Sequence, residues 1–239
     1  TGGKFNYYYE GALCFQQVAR EYPQADFAAD AGYYGMQLYG ALFEQTRKRV
    51  RLQQMNESAK TYDGQRYYRA LQQFSEQFPR DPRAADTMFQ SAEVARALEQ
   101  YGDASDIYAS IKQDHPQYYE AKYRAGLCRY LQALKIFGEQ EEESALETVG
   151  EMLDRAAGRY SDFIDWYEQN KDWLGSEQLE VVNRWIVRTK ISYGKLLVHK
   201  AWTETHDAEE GANRALKVLE DVEAKHFQGA GRKELRKNY

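Results

Sequence analysis

"QQFSEQFPRDPRAAD", residues 72–86, governs how the fold is read, because residues 16–30, "QQVAREYPQADFAAD", say nearly the same thing. Six of the fifteen aligned positions are identical: the QQ pair, Pro23 with Pro79, and the AAD triplet. The residue before each of these prolines is aromatic, Tyr22 or Phe78. Asp81-Pro82 reads as a helix N-cap followed by proline at the first helical position, where a missing N–H costs nothing. A phrase that closes one helix and opens the next, written twice, marks an internal repeat.

The punctuation on either side agrees. Gly102-Asp103 reads as the end of that helix and the cap of another, His115-Pro116 as the end of the second and the opening of a third, and Asp63-Gly64 as the start of an earlier one. Ser144 with Glu147 and Asp207 with Glu210 have capping-box spacing, and Gly175-Ser176 separates two long patterned stretches. Apolar residues recur at helical spacing, as in Leu179, Val182, Ile186, Tyr193 and Leu197, and no segment alternates long enough for a sheet. The expectation is an all-α protein of about nine helices. The short turns between 79 and 118 predict antiparallel hairpins.

Composition limits the functions. The 239 residues are 43% apolar and 29% charged with four prolines, which suits a helical protein with a substantial core. A net charge of −5 gives no global attraction to nucleic-acid phosphates or anionic membranes. No run of eighteen apolar residues is present, so no membrane span is expected, and the opening lacks the blocks of a signal peptide. The chain starts without methionine, as a processed or excised piece of a longer protein would. Cys14 and Cys128 each lie among apolar residues and read as buried thiols.

No catalytic residue emerges. There is no GxxxxGK[ST] loop, HExxH, GxSxG or CxxC in the chain. Of the four histidines, His115 belongs to a repeat joint, while His199 and His206 are two helical turns apart, too far for shared ligation. Glu223 and His226 have ExxH spacing, but a di-iron bundle needs two such pairs and two further carboxylates. Neither a metal nor a cofactor is expected.

From Pro82 to Pro116 is 34 residues, the length of a tetratricopeptide unit. With each proline at position 32, Met88 falls at 4, Ala92 at 8, Ala95 at 11, Ala104 at 20, Tyr108 at 24 and Ile111 at 27. This resembles the tetratricopeptide-repeat family, with Ala92, Ala104, Tyr108 and Pro116 as the matching signature. Gly102 comes late, which implies a longer first helix and a shorter second one. The preceding unit closes with Ala70, Phe74 and Pro82, and its start near Ala29 lies 56 positions before Ala85, so some 22 residues are inserted, near 45–64. The next unit carries Ala125 and Gly126 at positions 7 and 8. Residues 5–22 read as the second helix of a truncated leading repeat.

The resemblance implies a right-handed superhelical solenoid of stacked hairpins, whose first helices line a concave groove that holds a peptide or partner helix. Positions facing such a groove fall on Asp30, Tyr33 and Gln37 in one unit, on Asp86, Phe89, Glu93 and Arg96 in the next, and on Glu120, Tyr123, Leu127 and Tyr130 in the third. The fifth position is aromatic and the second acidic in all three units. These aromatics either anchor a partner segment with basic and apolar residues or pack between hairpins. The phrase "EYPQADFAAD" is similar to the cell-envelope branch of the family, which implies a bacterial envelope or periplasmic setting. A carboxylate clamp for acidic peptides is not expected, because Asp and Glu stand where it needs basic residues.

Residues 1–138 thus read as repeats. Residues 139–239 read as longer helices that continue the solenoid in degenerate form or cap it as a bundle. Ser176 to His206 is long enough for one rod of about 45 Å. Its apolar stripes, with Val181, Trp185 and Leu196 among them, need cover from the helix carrying Leu146, Val149, Leu153, Tyr160, Phe163 and Tyr167 and from a final one with Leu216, Leu219 and Val222. Trp166, Trp173 and Trp202 are core residues or interface anchors. Arg47, Lys48, Arg49 and Arg51 read as a solvated helix end, Glu139 to Glu143 as a polar loop, and "GRKELRKNY" as a frayed terminus. The functional expectation is a non-catalytic adaptor, with an accessory domain of an enzyme or a structural subunit as the alternative. Oligomeric state is open.

Overall fold

A computed structural model describes residues 3–139, 144–205, 209 and 213–218 of the chain. They form an all-α fold in which neighbouring helices pack on each other. The order is α1 (Gly3–Glu21), α2 (Ala28–Arg51), α3 (Glu57–Gln77), α4 (Ala84–Ala97), α5 (Tyr101–Ser110), α6 (Tyr118–Glu139), α7 (Ser144–Asn170), a 3-10 turn at Lys171–Trp173, and α8 (Ser176–Thr205). Two compact units result, Thr1–Ile107 and Tyr108–Tyr239. The change of sequence pattern at 138/139 is not where the units divide.

Three joints carry the repeat, and their backbones make the same bonds. Ala25 N–H donates to Tyr22 O at 3.0 Å and Ala28 N–H to Ala25 O at 2.9 Å. Asp81 and Ala84 do the same to Phe78 O and Asp81 O at 3.0 and 2.9 Å, and His115 and Tyr118 to Lys112 O and His115 O at 3.1 and 3.0 Å. Pro82 and Pro116 sit where neither of these bonds needs their missing N–H. Helices α4 and α6 therefore start later than the prolines suggest. Asp81 is not the helix N-cap; its Oδ1 accepts from Arg83 N–H two residues on at 2.9 Å, while Arg83 holds the N-cap position without a side-chain bond that caps the helix. His115 plays the Asp81 part in the third joint, its Nδ1 accepting from Gln117 N–H at 3.0 Å.

In the first unit α2 packs between α1 and α3, and α3 packs on α4. The extra residues near 45–64 form no long loop: α2 and α3 are 24 and 21 residues against 14 and 10 for α4 and α5, so both arms of the hairpin are longer. Helix α3 starts at Glu57, where Asn56 Oδ1 caps Ala59 N–H at 3.0 Å. Asp63-Gly64 is therefore mid-helix and opens nothing. Gly64 is instead a contact point, since a Cβ there would lie 2.6 Å from Leu98 Cδ2 and 2.7 Å from Phe43 Cε2. Asp63 accepts a 2.6 Å bond from the buried Thr46 hydroxyl.

Both hairpin tips of this unit end in Schellman turns without glycine. Gln53 and Glu99 take positive φ of 57° and 60°. Around them, Gln54 N–H reaches Arg49 O and Gln100 N–H reaches Ala95 O, 2.8 and 2.9 Å away. The reversal expected at Gly102 thus comes at Glu99, and Gly102 lies in the first turn of α5. The longer-first, shorter-second hairpin does follow. Ala92, Ala95, Ala104 and Phe74 are all buried, whereas Met88, expected inside, is 36% exposed because Phe89 beside it takes the core position. Cys14 is exposed, against expectation, since the buried face of α1 runs through Ala12 and Ala19. The Arg47–Arg51 cluster is the last turn of α2, with Arg47 paired to Glu44 at 2.7 Å.

In the second unit α6 packs on both α7 and α8, and α7 on α8. Val149, Leu153, Tyr160, Phe163 and Tyr167 of α7 and Val182, Ile186 and Leu196 of α8 are buried, so the two helices cover each other there, whereas Val181 and Leu216, expected in the stripes, are exposed. Gly126 of α6 lets the hairpin close, because a Cβ there would meet the Tyr160 ring at 2.5 Å. Cys128 is buried. Helix α8 is one continuous rod of 30 residues. The expectations for Asp207 with Glu210, His206, Gln140 to Glu143, Leu219, Val222, Glu223, His226 and residues 231–239 lie outside the described residues, as do the side chains of Ser144 and Trp202.

Candidate functional site

The eleven expected groove residues separate into a surface group and a buried group. On α2, Asp30 and Gln37 are exposed and Tyr33 is half-buried. Arg83, from the second joint, lies across them: its guanidinium sits 4.5 Å from the Tyr33 ring centre and pairs with Asp30 at 2.9 Å and Asp81 at 2.7 Å. Tyr33 also meets Phe74 edge-on, the ring centres 5.8 Å apart. Its ring is therefore spent on packing. The Arg83 fork holds the Asp81 carboxyl below its ordinary value. Asp30 keeps 60% of its side chain exposed.

Of the tyrosine doublet, the neighbouring ring is the one that faces solvent. Tyr34 is 54% exposed and tilts against Phe15 of α1, itself 40% exposed, with 5.9 Å between ring centres. Tyr34 lies four residues after Asp30 and three before Gln37, so the helix places all three together. An exposed aromatic pair thus sits beside a carboxylate and an amide. The sequence signal was the doublet Tyr33-Tyr34, from which a strict repeat register selected the inner ring.

On α4, Phe89 is 6% exposed and belongs to the core, not to a binding face. Glu93 and Arg96 pair with each other at 3.0 Å, and Asp86 is exposed. On α6, Glu120 accepts from Arg124 Nε at 2.8 Å. Tyr123 lies between Tyr160 and Trp185, its ring centre 6.4 and 5.5 Å from theirs. Tyr130 is 8% exposed and hydrogen-bonds His199 Nδ1 at 2.7 Å, while Leu127 is half-buried. Tyr130 is therefore interior rather than on a groove, and the half-buried Tyr123 packs against α7 and α8, the second of its two expected readings. Trp166 packs on Tyr118 and Tyr119, whereas Trp173 is 87% exposed.

No family model matches the chain, and neither does any curated protein. Among solved structures it is similar to a "DHF58 filament" chain, with 16% identity, 98% of this chain and 96% of that one covered, and a TM-score of 0.35. A likeness that small carries no argument. The assignment rests on geometry.

Burial pushes up the hydroxyls of Tyr39 and Tyr68 in the first unit and of Tyr118, Tyr119, Tyr130 and Tyr160 in the second, and Tyr67 is pushed up to about 12. Among the described residues no three His, Cys, Asp or Glu side chains group as a metal site. No described helix is long and apolar enough to cross a membrane.

Proposed function

We propose that the chain is a non-catalytic repeat scaffold of tetratricopeptide type, which holds a segment of another protein on the exposed surface of α2. The observation that carries the reading is the Phe15–Tyr34 ring pair, solvent-exposed beside Asp30 and Gln37. Aromatic rings left in water next to a carboxylate suit a partner segment with an apolar anchor and a basic side chain. Asp30 pairs with Arg83 yet keeps 60% of its side chain exposed, which leaves it accessible to a second cation. The bacterial cell envelope is the setting we propose, on the strength of the "EYPQADFAAD" phrase.

The test compares partner capture by the wild-type chain and by the Phe15→Ser/Tyr34→Ser variant. The variant should bind the captured partner at least about tenfold more weakly, equivalent to about 1.4 kcal/mol, with an unchanged melting temperature. Undiminished binding by the folded variant would end this reading.

A further inference from the structure

A second surface of the first unit is built differently from the α2 patch. Helices α1 and α3 flank a cleft of about 500 Å³ over Gly32 of α2. Its floor is apolar: a Cβ on Gly32 would stand 3.0 Å from Phe78 and 3.3 Å from Phe74. Its walls carry amides, Gln16 and Gln17 from α1 and Gln73 and Gln77 from α3. One end is closed by Gln77 Nε2 donating to Ala19 O at 2.8 Å across the cleft. Near that end the two walls present opposite charges, Arg20 on α1 and Glu76 on α3, neither in an ion pair among the described residues.

We propose that this cleft is a separate binding site for an extended peptide segment that carries one large apolar side chain between an acidic and a basic residue. The volume is that of a ligand site, and the half-buried Phe78 ring is the apolar surface it offers. A glutamine amide offers one acceptor and two donors, the same groups a peptide backbone presents, so facing amide walls complement an extended main chain. Gln16 and Gln73 have no hydrogen-bond partner among the described residues and are open for this. Arg20 and Glu76 supply the charge complementarity, each taking the opposite side chain of the segment. A purely apolar ligand would leave the Gln16 and Gln73 amides and the two charges without partners, whereas Gln17 and Gln77 already donate to Glu21 and Ala19 O.

The probe is the peptide acetyl-Glu-Gly-Phe-Gly-Lys-amide, titrated into the full 15N-labelled chain and followed by NMR. The side-chain amide signals of Gln16, Gln73 and Gln77 and the backbone signal of Gly32 should move together. Replacing the peptide's Phe with Gly should weaken binding at least about tenfold, and Glu76→Gln about threefold, the weaker loss reflecting an exposed charge. Gln73→Trp, at an exposed position, should fill the cleft and abolish the shifts while keeping the fold and the partner capture by α2. Phe15→Ser/Tyr34→Ser should leave the shifts in place, so the two sites fail independently. The proposal is overturned by the absence of these shifts at roughly 5 mM peptide, by equal binding of the Gly peptide, or by shifts centred on Phe15 and Tyr34.

Discussion

Tyr33 of α2 and Tyr123 of α6 hold the same place in the repeat, eight residues after the joint residues Ala25 and His115. Tyr33 is covered by Arg83 and the edge of Phe74, and beside it Tyr34 looks into solvent. Tyr123 packs against Tyr160 of α7 and Trp185 of α8, and Tyr130, two turns further along α6, is closed by His199. The helix and the register are alike; the covering element differs. A repeat position therefore names a direction on its helix, and the next element in the chain decides whether that direction is surface or core.

Substitutions on the two sides should separate most widely. Tyr123→Ala is expected to cost about 3 kcal/mol in urea unfolding, because it removes a ring from a three-helix contact, while Tyr34→Ala should stay within about 0.5 kcal/mol. Equal effects would erase the distinction between the two helices. Gly126→Ala should cost about 2 kcal/mol, since the new methyl meets a fully buried Tyr160 ring that has nowhere to move. An unchanged urea midpoint would show that α6 and α7 are not in contact at that residue.

Titration separates the buried rings from the joint in a second way. A tyrosine whose pKa is raised in the folded state gives stability that is complete below its unfolded value and is lost as pH rises toward the folded one. For Tyr67 that window runs from about 10 to about 12, so unfolding by urea should ease across it. Tyr67→Phe should flatten this slope, and a slope that stays the same would remove Tyr67 as its source. Asp81 works in the opposite sense: its depressed pKa means that stability is lost as pH falls below about 4, and Arg83→Gln should reduce that loss, the backbone N–H of residue 83 keeping the rest.

The smallest effect is expected at the hairpin tips. Glu99→Gly should stabilise the chain by about 1 kcal/mol, because glycine takes the left-handed conformation without the steric penalty of a side chain. Hydrogen exchange at Gln100 should slow accordingly. A destabilised variant would show that the Glu99 side chain matters more than its φ.

Much of the fold was legible because joints and stripes are local matters. The duplicated phrase marks two of the three joints, and the third, at His115-Pro116, has the same backbone bonds although it lacks the aromatic-proline pair. Helix starts were less legible. Asp81-Pro82 has the letters of an N-cap, yet the turn it makes spends Asp81 on Arg83 and delays the helix. Asp63-Gly64 misled for a different reason: Gly64 is there to admit Leu98 and Phe43, a requirement that comes from distant parts of the chain. The proposed binding face was half legible, since an aromatic doublet at 33–34 was visible but which ring faces out was not.

An all-α chain of hairpins, the position of its joints and most of the residues each helix turns inward follow from the order of amino acids, because hydrogen bonding along the backbone and apolar periodicity act within a few residues. That Arg83 lies over Tyr33, that α8 covers α6, and that α1 and α3 leave a cleft above Gly32 became definite only in three dimensions. Those outcomes depend on which helix packs on which, and packing partners far apart in the chain leave no local signal in its spacing.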